Sequence, residues 1–187
     1  MVSNIFNIVF IFLLAGSSSN NKVENNNENH DLNSLLNEFL SCGELTPANT
    51  PCNIFLAKAL ESVYNISDFK KDGDSYFSAN EISTAVQVND KWTSLGKCSD
   101  QATLIEAQNY ANLGKAVIAV YENNMGHGHV ALVIPGELIA SGTWGMACPN
   151  SASFFLNKAN KSYVSKPLSF AFDNSIKADV IIYGRNF

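Results

Sequence analysis

Positive charge is scarce in this chain: Lys and Arg number 12 against 17 Asp and Glu in 187 residues, a net charge of −5. No basic stripe able to neutralise a phosphate backbone is present, which argues against nucleic acid as a partner. Nor is there a stretch of about 20 apolar residues, the length a bilayer-spanning helix requires, so no stable membrane span is expected. The cysteines, Cys42, Cys52, Cys98 and Cys148, contain no Cys-x-x-Cys pair and do not suggest zinc. A calcium loop is also missing. With Gly73 as the turn glycine of Asp68–Glu81, the third position is Lys70 and the twelfth Ala79, so no bidentate carboxylate closes it. No metal and no other cofactor is expected. What remains, with 46% hydrophobic residues, is enough apolar material for one ordinary globular core.

The apolar run from Ile5 to Ala15, broken only by Asn7, reads as the core of a signal peptide over residues 1–17, with Ala15-Gly16-Ser17 as small residues suited to cleavage. Ser17 stands where a lipoprotein signal needs an acylated Cys, so plain export is expected, to a secreted, periplasmic or cell-surface location. Residues 18–31, nearly all Ser, Asn and Glu, read as a disordered spacer. Residues 32–187 form the folded domain.

Leu32, Leu35, Leu36, Phe39 and Leu40 repeat with helical period, ending near Gly43. Thr50-Pro51 offers an N-cap and a first helical residue for a second helix starting at Pro51-Cys52. Ser78-x-x-Glu81 has the form of a capping box before a third helix. Ser99 or Asp100 caps a fourth, which Gly114 stops. Beyond Gly114, runs at Ala116–Tyr121, Val130–Ile134, Leu138–Ser141, Ser169–Phe172 and Val180–Tyr183 are rich in β-branched and aromatic residues and predict strands. Pro135-Gly136 predicts a tight antiparallel hairpin between the second and third of these. Helices followed by an antiparallel sheet give an α+β fold.

Two residues on different elements can carry chemistry. Cys52, in the first turn of a helix, sits where free N–H groups and the helix dipole favour a thiolate, although a single Cys is more often a small buried residue. His129 opens the run His129-Val130-Ala131-Leu132-Val133. A neutral imidazole there can take the thiol proton and return it to a leaving amine. His127 lies between glycines in a turn, so His129 is the base and His127 a substrate contact.

Pro51-Cys52-Asn53-Ile54-Phe55 and Gly128-His129-Val130-Ala131-Leu132-Val133 together resemble the papain-like cysteine peptidases and amidases of the NlpC and CHAP type. The resemblance spans roughly residues 45–145. It implies a papain-like domain, with N-terminal helices packed on a C-terminal antiparallel sheet, that cleaves amide bonds in peptidoglycan stem peptides without metal. It also implies a third polar residue on the strand after the His strand, orienting the ring. Ser141 is the candidate, with Glu137 and Asn150 as fallbacks. A three-residue connection at Pro135–Glu137 puts Ser141 on the face of His129, and a two-residue one puts Ala140 and Gly142 there. Trp144, flanked by Gly142-Thr143 and Gly145, offers either a flat wall for substrate or a core residue. If Cys52 stays reduced, at most one disulfide forms, and Cys98 with Cys148 is the pairing expected.

The function expected is therefore a secreted cysteine amidase or endopeptidase acting on peptidoglycan peptides, as a wall-remodelling enzyme or an antibacterial toxin, with a protein inhibitor as a further candidate partner. The rival readings are a cysteine peptidase of ordinary proteins and a binding module with an idle site on the same fold.

Overall fold

The computed structural model describes residues 32–38, 55–73 and 75–186. The expected signal peptide, the expected spacer, the expected end of the first helix near Gly43 and the expected helix start at Pro51-Cys52 lie outside the described residues. Four α-helices are described: α1 (32–38), α2 (Phe55–Tyr64), α3 (Ala79–Val88) and α4 (Gln101–Asn112). The strands are β1 (Trp92–Lys97), β2 (Val117–Tyr121), β3 (His129–Val133), β4 (Ile139–Ser141), β5 (Met146–Cys148), β6 (Asn150–Ser153), β7 (Tyr163–Pro167) and β8 (Ile181–Arg185). Six of them form one antiparallel sheet in the order β1-β8-β2-β3-β6-β7. The fold is thus mixed α and β, with β1 lying between α3 and α4 in the chain. Among the described residues no helix is long and apolar enough to cross a membrane.

Local signals account for the helix limits. Ser78 accepts from the Glu81 N–H while the Glu81 carboxylate accepts from the Ser78 N–H at 2.7 Å, so the capping box closes at the start of α3. Asp100 caps α4 through the Ala102 N–H, and Gly114 follows its end at φ +74°, a conformation glycine adopts without a Cβ clash.

Alternation along the strands divides the core into two layers. Ile118, Val120, Val130 and Leu132 face one way and pack with Leu35 of α1, Leu60 of α2 and Ile82 of α3. Val117, Ala119, Ala131 and Val133 face the other way and pack with Leu104 and Ala107 of α4, Trp144 and Phe172. β8 is pinned at its last residue, Arg185, which donates to Asp68 at 2.7 and 3.2 Å, and Trp92 Nε1 donates to the same carboxylate at 3.0 Å. Arg185 holds the Asp68 carboxyl below the usual carboxylate range.

Two sequence expectations are corrected. Pro135-Gly136 makes no β3–β4 hairpin. Gln108 and Asn112 of α4 hydrogen-bond the backbone at Ile134 and Gly136, drawing the chain away from the sheet. β4 pairs with β5 in a separate two-stranded sheet, and β6 takes the place beside β3. Ser169–Phe172 is not a strand. Pro167 ends β7, and a 3₁₀ turn over Leu168–Phe170 follows, held by the Ala171 N–H donating to Leu168 O. Ala171 and Phe172 are apolar because they are buried, not because they are extended.

Candidate functional site

His129 is the first residue of β3 and pairs with Tyr121, the last of β2, at one end of the central sheet. Its Nε2 lies 2.7 Å from Ser153 Oγ on β6. Ser153 is opposite Ala131 in the β3–β6 ladder and fully buried, so a hydroxyl on that face has only its sheet neighbours to bond. Phe155 stacks on the imidazole at 4.6 Å between ring centroids and 17° between planes, and Phe172 meets it edge-on at 5.3 Å. Withdrawn from water between two aromatic rings, the imidazole is pushed down to about 4 from its ordinary 6.5, so it is neutral at pH 7. In the tautomer whose Nε2–H donates to Ser153, the neutral ring keeps a lone pair on Nδ1, the nitrogen then able to accept a proton from a reacting group.

The residue before it is a glycine for a steric reason. A Cβ at Gly128 would collide with Asn80 Oδ1 and with the Tyr121 carbonyl oxygen. That close approach sets the direction in which His129 enters its strand.

A cavity of about 420 Å³ opens at this end of the sheet. Leu56 from the first turn of α2, Asn80 from the first turn of α3, and the Phe154, Phe155 and Phe172 side chains line it together with His129. Lys158 and Asp173 bring one charge of each sign to the lining, and His127 is exposed at the same cavity. The helix that leads back toward Cys52 and the imidazole reach this cavity from different sides. α2 packs on the Val130 and Leu132 face, whereas His129 shares its face with Ala131 and contacts Phe172. They converge only because His129 is the terminal residue of its strand. Cys52 itself, three residues before Phe55, lies outside the described residues.

The other sequence candidates are elsewhere. Ser141 ends β4 in the two-stranded sheet, where its Oγ bonds Thr143 Oγ1 at 3.0 Å and accepts from the Trp144 N–H at 3.2 Å. It stabilises that turn, and the hydroxyl at His129 belongs to Ser153 because β6, not β4, adjoins β3. Trp144 is 5% exposed and does not line the cavity, so the expected substrate wall is a core residue. Its indole N–H donates to Phe172 O at 3.2 Å, which supports the segment whose ring abuts His129. Asn150 is buried with its amide on Pro135 O, and Glu137 is exposed on the β3–β4 connection. Cys98 and Cys148 are free thiols buried in one layer of the core, so the expected disulfide is absent from the structure. Burial pushes both thiols up, the neighbouring Cys148 adding to the effect at Cys98.

Sequence reasoning missed Ser153, Phe155 and Phe172. Asn150-Ser151-Ala152-Ser153 carries little β propensity and no apolar alternation, so no local signal marks it as a strand. No protein-family model matches the chain, and no curated protein is similar to it.

Proposed function

We propose that this protein is a papain-like cysteine amidase or endopeptidase acting on peptidoglycan stem peptides, with Cys52 as nucleophile, His129 as base and Ser153 as the residue orienting the imidazole. The observation that carries the reading is a neutral, hydroxyl-anchored His129 in the same cavity that receives the first turn of the helix downstream of Cys52. His129 Nδ1 takes the thiol proton as Cys52 Sγ bonds to the substrate carbonyl carbon. The imidazolium then gives that proton to the departing amine, the C–N bond breaks, and a thioester remains. Water, deprotonated by the same ring, releases the acid and regenerates the thiol. Ser153 fixes the ring so that one nitrogen stays available throughout. The apolar cavity wall lowers the local dielectric around the developing charges.

The experiment is mass-resolved turnover of purified cell-wall fragments by the wild type, Cys52→Ala and His129→Ala, each shown to be folded. Amide cleavage present in the wild type and absent from both variants supports the reading. Cleavage of denatured protein substrates alone would make this a peptidase of ordinary proteins. Fragments bound unchanged would make it a binding module, and substantial hydrolysis by folded Cys52→Ala would remove the nucleophile altogether.

A further inference from the structure

The connection from Glu122 to Gly128 delivers the chain to His129, and α3 holds it: Ser83 and Gln87 donate to the Glu122 carboxylate at 3.0 and 3.3 Å where it begins, and Asn80 holds the rest. Asn80, in the first turn of α3, uses both ends of its carboxamide on this segment. Nδ2 donates to Asn123 O at 3.2 Å and to Gly126 O at 3.0 Å, while Oδ1 accepts from the Gly128 N–H at 3.0 Å and the Asn123 N–H at 3.4 Å. The carboxamide thus stands in for a strand edge that the loop lacks, satisfying backbone groups that would otherwise be left to water. Two features show how closely the pieces are matched. Gly128 has no room for a Cβ against Asn80, and Asn80 and Gly128 both line the cavity that holds the imidazole. Within the loop Asn123 adds local bonds, its Oδ1 accepting from the Met125 N–H at 3.1 Å and its Nδ2 donating to His127 O at 3.5 Å, while Met125 at the tip is 98% exposed.

We propose that Asn80 is a positioning residue of the site, acting through the backbone of Gly128 to set where His129 begins its strand and therefore where its ring stands in the cavity. The kinetic part of this inference rests on the function proposed above; the structural part does not. Holding a reacting group within a fraction of an ångström is worth up to about 100-fold in rate. Removal of the clamp should therefore lower kcat rather than raise KM.

The test uses Asn80→Ala and Asn80→Asp in the full chain. Asn80→Asp keeps the acceptor for the Gly128 N–H but loses both donors and sets a carboxylate against two carbonyl oxygens. Asn80→Ala should speed hydrogen exchange at the Gly128 amide at least about 10-fold, with Asn80→Asp leaving that amide nearer to wild type. Nitrogen-15 shifts of the His129 imidazole should move from a single preferred tautomer toward a mixture in Asn80→Ala. On cell-wall fragments kcat should fall about 10- to 100-fold with KM within about threefold. If Asn80→Ala does not fold, Asn80→Asp decides alone: with the Gly128 N–H still held, its imidazole should keep the wild-type tautomer and its kcat should stay within about threefold, and a lost tautomer preference with Gly128 exchange unchanged would overturn the proposal. In folded Asn80→Ala, unchanged exchange at Gly128, or freed exchange with an unchanged imidazole, would overturn the proposal. A wild type inactive on these fragments would count against the proposed function only, and the exchange and tautomer measurements would still decide the role of Asn80.

Discussion

The two ends of β3 are held by the same device and finished differently. At the C-terminal end, Gln108 donates to Ile134 O at 3.1 Å and accepts from the Asn150 N–H at 2.7 Å, and Asn112 pairs with both backbone groups of Gly136 at 2.8 and 3.0 Å. At the N-terminal end, Asn80 does the equivalent for Gly126 and Gly128. Both ends therefore replace a missing strand neighbour with a helix-borne carboxamide. They differ in cover, for Ile134 is fully buried whereas His129 opens onto the cavity beside Leu56 and Phe155. A clamped strand end becomes a candidate site where the packing stops short and a titratable ring stands at the gap. Where packing continues, the same hydrogen bonds serve only stability.

That contrast can be broken first at the open end. Cys52→Ala and His129→Ala should each reduce amide hydrolysis to background, and the double variant should be no worse than either, because residues acting as one unit are strongly non-additive. Additive losses, measured as kcat/KM at matched fold, would separate the two residues. At the closed end, Gln108→Ala should leave Ile134 O and the Asn150 N–H buried without a partner and cost about 2–4 kcal/mol of unfolding free energy in urea. Activity per folded molecule should be unchanged. A kinetic defect in folded Gln108→Ala would erase the distinction between the ends.

Ser153→Ala should lower kcat about 10- to 100-fold by freeing the imidazole, whereas Ser141→Ala, which disturbs the turn at Thr143 and Trp144 and the bond to Cys148 but nothing at His129, should leave kcat within about twofold. A larger loss from Ser141→Ala than from Ser153→Ala, seen in parallel steady-state assays, would exchange their roles.

The smallest effect concerns pH. The folded His129 ring has its protonation midpoint lowered to about 4 from 6.5, so the unfolded chain binds more protons between those values. The stability associated with this ring is fully present above pH 6.5 and is lost as pH falls toward about 4. His129→Gln should flatten that part of the unfolding profile, followed by fluorescence. Phe155→Ala, which admits water to one face of the ring, should move the midpoint upward in an imidazole titration followed by NMR. A midpoint unchanged in Phe155→Ala would show that the stacking ring contributes nothing to the burial of His129.

How far the sequence reached depends on the range of the force involved. The capping box at Ser78 and Glu81, the Asp100 cap and the Gly114 stop were legible because each is decided within four residues. The strands β2 and β3 were legible because Val117–Tyr121 and His129–Val133 carry strong β propensity. β6 was not, since Asn150-Ser151-Ala152-Ser153 is a strand only by virtue of lying between β3 and β7, all four residues being buried. The identity of the residue beside His129 followed that error directly. A hairpin at Pro135-Gly136 would have brought β4 alongside and made Ser141 the candidate, whereas Gln108 and Asn112 hold the backbone there and admit β6.

Taken by itself, the sequence determined the start of α3, the cap and stop of α4, the central strands β8, β2 and β3, the mixed α and β composition, and His129 over His127 as the residue entering a strand. Each depends on neighbours along the chain, where the backbone's own hydrogen bonds and side-chain period dominate. Tertiary structure alone decided that Ser153 anchors the ring, that Phe155 and Phe172 withdraw it from water, that Trp144 is core and that Asn80 holds the loop. Those contacts join residues from 24 to 48 positions apart in the hydrogen-bonded pairs. No local pattern encodes such pairings, because each exists only once the sheet order has placed both partners at the same end.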